Sequence, residues 1–187
     1  MCILSYFSLS AEIIDFDLGS TICGKYDTDR RCTLVISFDL TREDVLVNHI
    51  RYSFFRSNTK TASPYIFYFS GMARGHLCAG ENKGKPSYDM FNIVAQDPIL
   101  NKGLVKKLEI FERKLALEKG KIKIRIECIF LKEKPERWIK GSVQIPDAFY
   151  RVIYDENDKV LYAWYMENNP ISKANPDDYK INPEEQK

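Results

Sequence analysis

The chain has 187 residues, 44% hydrophobic and 13% aromatic, which fits one globular domain with a substantial core and argues against two domains. Charged residues make up 29%, but the formal net charge is only +2, so any nucleic-acid-binding surface must be a local patch. Five cysteines without C-x-x-C spacing predict neither a zinc site nor a full disulfide framework, although they do not exclude a disulfide bridge between Cys23 and Cys32.

The N-terminal stretch, residues 2–10, is moderately apolar but lacks a basic leader and is interrupted by serines and a tyrosine. It is a poor signal peptide and far too short to span a membrane. We therefore expect a soluble chain with no membrane partner. Its location would be secreted or periplasmic if a leader has been removed, and cytoplasmic otherwise.

The first half of the chain alternates β-rich segments with turn formers. Residues 33–40 predict a strand, and residues 41–44 predict a helix start or a turn. The aromatic stretch 64–70 predicts a second strand that leads into the segment containing the second histidine. Residues 78–89 predict a loop from their Gly, Pro and Asn content.

An amphipathic helix is predicted over residues 98–119. Asp97 is placed to cap it, Gly103 is a weak point within it, and Gly120 is a natural stop. Its apolar residues recur at spacings of three and four, and they are Leu100, Leu104, Leu108, Phe111 and Leu115.

The chain after this helix predicts three strands and an irregular end. Residues 121–128 alternate strictly, as in an antiparallel strand. Residues 143–154 and 160–166 predict two more strands, joined across the turn formers at 155–158, and residues 168–187 look irregular. The core-facing positions of the first strand are Ile122, Ile124, Ile126 and Cys128.

The richest basic stretch is 102–125, where nine Lys and Arg residues outnumber three Glu. Two interpretations stay open: a local nucleic-acid-binding patch, or a solvated helix face of ordinary composition.

A cluster of scarce and polar residues suggests phosphodiester hydrolysis. That reaction needs a base for the attacking nucleophile, positive charge near the phosphate oxygens, and help for the departing oxygen. A neutral histidine, with an ordinary pKa of about 6.5, can accept the proton near pH 7. In this hypothesis His76 is the base, and Asn101 gives an amide oxygen to a hydrated Mg²⁺. Glu109 accepts hydrogen bonds from the ion's water, while Arg74 and Arg113 hold phosphate.

The spacing of these residues supports the hypothesis in part. Glu109 and Arg113 differ by four and share one helix face, but Asn101 and Glu109 are offset by about 80°. Asn101 must therefore act from the first turn, and only tertiary folding can bring His76 to it. Each residue alone has an ordinary structural explanation, and only the ordered combination favours function. The other histidine, His49, has no matching polar cluster and is predicted to be structural.

In order, these residues resemble the DNA/RNA non-specific endonucleases of the ββα-metal superfamily, which includes endonuclease G. The family's Asp-Arg-Gly-His-Leu motif is similar to residues 73–77, and its Asn-x-x-Pro-Gln-x-x-x-Leu-Asn segment is similar to residues 92–101. The following Leu-Glu stands at 108–109. Weaker similarity at 26–41 and 143–152 extends the resemblance to about residues 25–182.

The resemblance implies one nuclease-like domain over residues 1–187, of α+β class. A largely antiparallel central sheet with flanking helices would carry a ββα-metal finger. It implies His76 as base and Asn101 as metal ligand, with Glu109 and Arg113 supporting them. It further implies Mg²⁺, with Mn²⁺ as substitute, DNA and RNA as substrates, and an inhibitor protein and a homodimer as candidate assemblies. Supporting polar residues would be Asn92 and Gln96, and Arg51 is a loosely aligned further arginine.

Three positions depart from the family pattern. Ala73 stands where the motif has Asp, Ala95 where it has Pro, and Val105 where an aromatic residue is common. Loss of an acid that supports metal ligands costs on the order of 10- to 100-fold in affinity or activity. An active enzyme is favoured, because the base, ligand and arginines remain. The alternatives are a catalytically impaired nucleic-acid-binding homologue, a toxin or effector with an inhibitor partner, and a structural domain with accidental motif matches.

Overall fold

The computed structural model describes residues 12–19, 21–47, 54–171 and 174–182. Its centre is a six-stranded sheet in which every neighbouring pair is antiparallel. This matches the largely antiparallel sheet that the family resemblance implies. The strands, in spatial order, are β1 (Ile13–Asp17), β2 (Ile22–Asp27), β3 (Cys32–Thr41), β6 (Lys121–Ile129), β9 (Ala148–Tyr154) and β10 (Val160–Glu167).

The alternation predicted for β6 places one face of the sheet in the core. Ile122, Ile124, Ile126 and Cys128 are all buried. Ile126 lies opposite Ile36 of β3, and Ile124 lies opposite Phe38, so both strands present their apolar side chains to the same layer. Leu108 and Leu115 of helix α4 (Lys106–Lys119) belong to the same buried cluster.

A separate two-stranded hairpin lies outside the central sheet. It pairs β4 (Ala73–His76) with β5 (Ile93–Gln96) in antiparallel register. The connection between the two strands carries the short helix α2 (Gly80–Lys83) and 3-10 turns at Lys85–Tyr88 and Met90–Asn92. The loop predicted for 78–89 is therefore partly wrong, because it contains one α-helical turn and the 3-10 turn at Lys85–Tyr88.

Helical structure follows β5 directly and runs from Pro98 to Lys119. It consists of α3 (Pro98–Leu100), a π-helical turn (Asn101–Val105) and α4. Asp97 caps it as predicted, with Oδ1 accepting from the Ile99 and Leu100 amides at 2.8 and 3.0 Å. Gly120, with φ of +85°, ends it where the sequence predicts a stop.

One predicted strand is wrong and another is divided in two, and a proline contributes to each outcome. Residues 64–67 form a 3-10 helix because Pro64 fixes the first position and the Ser63 hydroxyl accepts from the Tyr65 amide. The predicted strand 143–154 is two strands, β8 (Val143–Ile145) and β9, since Pro146 has no amide to continue a ladder. β8 pairs with β7 (Arg137–Ile139) instead of the central sheet.

The structure also bears on the predictions for residues 41–44, for a Cys23–Cys32 bridge and for a membrane span. The helix start or turn predicted for residues 41–44 is the start of α1 (Arg42–Leu46), which Thr41 caps with a capping box. Within the described ranges Cys23 and Cys32 are free thiols, so no bridge joins them. None of the described helices is long and apolar enough to cross a membrane. His49 and Arg51 lie outside the described residues.

Candidate active site

His76 is the last residue of β4, where the hairpin places its ring among aromatic neighbours. The ring centroid lies 5.0 Å from that of Tyr88 and 5.5 Å from that of Phe55. Its Nε2 atom is buried and has no hydrogen-bond partner among the described residues. Burial, with a smaller contribution from the charge of Arg74, lowers the pKa of His76 from 6.5 to about 4. The imidazole is therefore neutral near pH 7.

His76 opens onto a cavity of about 400 Å³. Asn101 and Glu109 line the same cavity, so three residues that are far apart in the sequence meet there. Its wall also contains Ala79, Gly80, Glu81, Tyr88, Lys102 and Lys106.

The π-helical turn explains why Asn101 and Glu109 share one space. An α-helix turns about 100° per residue, so a separation of eight residues places two side chains about 80° apart. The π-helical turn accommodates one extra residue, which takes about 100° from that offset and leaves about 20°. Sequence periodicity did not predict this turn. Gly103, which lies within it, was its only signal.

Glu81 and Lys106 are cavity residues that the sequence did not single out. The Lys106 ammonium lies 3.0 Å from Glu81 Oε2 and 3.5 Å from Glu109 Oε2, so it bridges two carboxylates inside the cavity. The i,i+3 spacing of Lys106 and Glu109 can be read from the sequence. Glu81 lies in the β4–β5 connection, and nothing in the sequence predicted that it would contact them.

Arg113 lies behind this cluster and is absent from the cavity wall. Its guanidinium donates to Asn82 Oδ1 at 3.1 Å and pairs with Glu81 Oε2 at 3.0 Å. Burial raises the pKa of Glu109, while the nearby charges of Arg151, Lys106 and Arg113 lower it. Arg113 therefore reaches the cavity through Glu81 in this structure.

Arg74 is absent from the cavity wall and lies two residues before His76 on β4. Its guanidinium carbon is 4.6 Å from the centroid of the Phe55 ring and 5.4 Å from that of Tyr68. Both distances are typical of cation–π contacts. Because Arg74 and His76 are two residues apart on β4, both side chains project from the same face of the hairpin.

Asn92 and Gln96 support the hairpin and do not line the cavity. Asn92 accepts from the Cys78 amide at 2.9 Å and donates to the carbonyls of Cys78 and Ser87 at 2.8 Å each, which closes the connection between the strands. Gln96 packs on Gly75, where an added Cβ would lie 2.4 Å from Gln96 Oε1. Gly75 thus permits a close approach between β4 and β5.

A buried ion pair joins the site to the central sheet. Arg151 of β9 donates to the Leu77 carbonyl at 2.8 Å, and its Nη1 lies 3.0 Å from Glu112 Oε1 of α4, without hydrogen-bond alignment. Burial raises the pKa of Glu112 to about 7, although the charge of Arg151 lowers it. Arg151 therefore connects the residue after His76 with the helix that carries Glu109. The sequence did not reveal this contact.

Asn168 makes a second connection that the sequence missed. Its Oδ1 accepts from the Asp97 amide at 2.7 Å, and its Nδ2 donates to the carbonyls of Ala95 and Pro146 at 2.9 Å each. Asn168 lies in the region predicted to be irregular, yet it is buried. It holds the end of β5 where the helical segment begins.

The donor set of the cavity fits an ion that keeps most of its water. No group of three or more His, Cys, Asp or Glu side chains within the described ranges is arranged to hold a metal ion. Asn101 and Glu109 nevertheless offer oxygen atoms to one space. Mg²⁺ commonly binds in this way, through few protein oxygens and several waters.

Comparisons with known proteins place the chain in a family. The family model described as DNA/RNA non-specific endonuclease matches residues 20–185. A solved structure described as the EndoG/EndoGI complex, on the mechanism of EndoG inhibition, aligns with a TM-score of 0.73 and 21% identity over 92% of this chain and 80% of that chain. No curated protein matches the chain. The structural match agrees with the predicted α+β fold, and β4, β5 and the following helix form the ββα unit. The chain therefore belongs to the DNA/RNA non-specific endonuclease family and is a nuclease.

Proposed function

We propose that this nuclease is a Mg²⁺-dependent endonuclease that hydrolyses phosphodiester bonds of DNA and RNA, with Mn²⁺ as a substitute. The observation that carries the proposal is the cavity shared by His76 and Asn101, in which a neutral base and an amide oxygen meet. Six waters around an ion occupy roughly 180 Å³ at about 30 Å³ each. A cavity of about 400 Å³ leaves room for a phosphate group beside them.

His76 is the proposed general base. Its neutral ring accepts a proton from a water molecule in the cavity, and that water attacks phosphorus. A positioned base of this kind contributes roughly 10²- to 10⁴-fold to the rate. The low pKa of His76 keeps the ring neutral, and so able to accept a proton, at pH 7, and it also makes the ring a weaker base than a free imidazole.

Asn101 is the proposed direct ligand, and Glu109 is proposed to accept hydrogen bonds from water on the ion. Bound Mg²⁺ supplies positive charge for the phosphate oxygens and for the departing oxygen. Glu109 also neighbours the Lys106 ammonium at 3.5 Å, so the cavity already pairs this carboxylate with a cation. The cluster of Glu81, Lys106 and Glu109 thereby holds opposite charges in fixed positions.

Arg74 and Arg113 are the proposed phosphate-holding arginines. Arg74 lies on the same strand face as His76. Arg113 must exchange its contact with Glu81 for a phosphate oxygen to act directly. Lys102 and Lys106 line the cavity and add two further cations for the same purpose. Asn92 and Gln96 are proposed to act indirectly, by holding the hairpin.

Backbone phosphate is the proposed recognition element, so binding should depend on salt and show little preference among sequences. The structural relative is described as a complex of EndoG with an inhibitor, EndoGI. By analogy, an inhibitor protein is proposed for this chain as well. A homodimer is proposed on the resemblance alone.

A catalytically impaired nucleic-acid-binding homologue is the second candidate, and Ala73 favours it. Ala73 opens β4 opposite Gln96, three residues before His76, and it replaces the carboxylate of the family motif. Binding without turnover in Mg²⁺, Mn²⁺ or Ca²⁺ would support this candidate. Recovery of cleavage by Ala73→Asp would then identify the missing carboxylate as the cause.

The test is digestion of plasmid DNA and of RNA with Mg²⁺ and with EDTA. We expect cleavage of both by the wild type, none in EDTA, and a loss of roughly 10²- to 10⁴-fold in His76→Ala. Lys107→Ala is the matched control, because Lys107 is exposed on α4 and lies outside the cavity wall. Undiminished cleavage by His76→Ala would refute the role of the base.

A further inference from the structure

Three exposed aromatic rings lie on the segment that leads into β4. Tyr65, Tyr68 and Phe69, here called the aromatic loop, are 71%, 49% and 104% exposed. The Tyr65 and Tyr68 rings lie 5.8 Å apart between centroids. Large apolar groups grouped on a surface commonly mark a binding site, whereas single ones do not.

Phe69 is strained as well as exposed. Its φ is +60°, in the left-handed region that disfavours residues with a Cβ. The surrounding turn is fixed, because the Ser70 amide and hydroxyl both donate to the Phe67 carbonyl, at 3.2 and 2.8 Å. Neither burial nor backbone preference accounts for a phenylalanine here, so the outlier suggests a functional contact.

Two cations lie beside the aromatic loop. The Arg74 guanidinium carbon is 5.4 Å from the centroid of the Tyr68 ring, and Lys140 Nζ donates to the Tyr68 carbonyl at 3.1 Å. Aromatic faces beside cations suit a ligand that has both flat rings and phosphates. A purely apolar ligand would have no use for the two cations.

The aromatic loop connects with the candidate active site through Arg74 and Phe55. Phe55 contacts the Arg74 guanidinium at 4.6 Å, and its ring lies 5.5 Å from the ring of His76. A nucleic-acid strand with its phosphate at His76 can therefore pass Arg74 and reach the exposed rings.

We propose that the aromatic loop stacks the unpaired bases of a nucleic-acid strand beside the phosphate that is cleaved. The inference rests on the proposed function and adds a substrate preference to it, namely tighter binding of single-stranded or locally unpaired nucleic acid than of duplex. In a duplex the base faces are covered by their neighbours, so the rings of Tyr65 and Phe69 gain contacts only with unpaired bases.

The test measures binding by fluorescence anisotropy in EDTA, so that neither metal nor cleavage contributes. The probes are a labelled oligothymidine, an abasic oligomer with the same number of phosphates, and a duplex. Phe69→Gly and Tyr65→Ala should each weaken binding of the oligothymidine about 5- to 150-fold, which corresponds to one stacked base. Binding of the abasic oligomer should not change.

Phe69→Gly also separates stacking from damage to the fold. Glycine suits a φ of +60°, so this variant should melt at or above the wild-type temperature while it binds single strands more weakly. Leu46→Ala is the control, since Leu46 is 70% exposed on α1, and its affinity should equal that of the wild type.

The outcomes distinguish this inference from the proposed function. Equal losses on the abasic and thymidine probes, no loss at all, or no binding of any oligomer would overturn the stacking site. If the wild type also fails to cleave in Mg²⁺, the proposed function fails by that separate measurement. Cleavage by a wild type whose affinities match those of Phe69→Gly would refute the stacking site alone.

Discussion

The titration of His76 gives a prediction about stability that follows from its position. Burial and the charge of Arg74 hold the pKa of His76 at about 4, whereas the unfolded chain titrates near 6.5. Between these values the unfolded chain binds more protons, so this contribution to stability is present above pH 6.5 and is lost as the pH falls through 4. The gap is roughly 2.5 pKa units. It corresponds to about 2 to 3 kcal/mol after allowance for the partly exposed ring.

The assay compares urea unfolding of the wild type and of His76→Phe at pH 7, 5.5 and 4. Phenylalanine keeps a ring against Tyr88 and Phe55 but has no nitrogen to protonate. Subtracting the two curves removes the carboxylates, which titrate in both proteins. The wild type should lose about 2 to 3 kcal/mol more than the variant between pH 7 and 4, or roughly 4 to 12 °C in melting temperature. Parallel curves would refute the assigned environment of His76.

Other predictions concern the supports of the site. Gly75→Ala should lower the free energy of unfolding in urea by about 1 to 3 kcal/mol, because the added Cβ would lie 2.4 Å from a side-chain oxygen. Gly103→Ala should not lower it, because there the nearest atom to the added Cβ is 3.5 Å away. Equal losses would contradict this packing. Arg151→Met leaves a buried carboxylate without its partner and should cost about 3 to 5 kcal/mol in the free energy of unfolding; a change below about 1 kcal/mol would dismiss the ion pair. Lys106→Gln should lower the salt dependence of DNA binding by about one released counterion. Lys107→Gln, on the exposed face of α4, should leave that dependence unchanged. If both variants show the same slope of log affinity against log salt, Lys106 does not bind phosphate.

Local sequence signals predicted the elements whose residues are neighbours along the chain. The helix from Pro98 was visible because its apolar spacing, its Asp97 cap and its Gly120 stop agree with one another. Strand β6 was predictable because its apolar residues alternate with polar ones, and the apolar face is the one that is buried. The motif around His76 predicted the family, and the family model and structural match agree with that prediction.

Sequence patterns did not predict the structure where a local proline or a contact between distant residues determined it. Aromatic residues at 64–70 favour a strand, but Ser63 and Pro64 start a 3-10 helix. The π-helical turn was hidden because the apolar spacing through it still fits an α-helix. Glu81 and Arg151 act through contacts with residues more than 20 positions away, which periodicity cannot reveal.

The central claim is that Asn101 holds a divalent ion in the cavity it shares with His76. Anomalous diffraction from a crystal soaked in MnCl₂ tests this claim most directly. It should show one peak about 2.2 Å from Asn101 Oδ1 within the cavity, and the peak should disappear in Asn101→Ala. Lys107→Ala should leave the peak unchanged. A peak bound elsewhere, or a peak that persists in Asn101→Ala, would contradict the account.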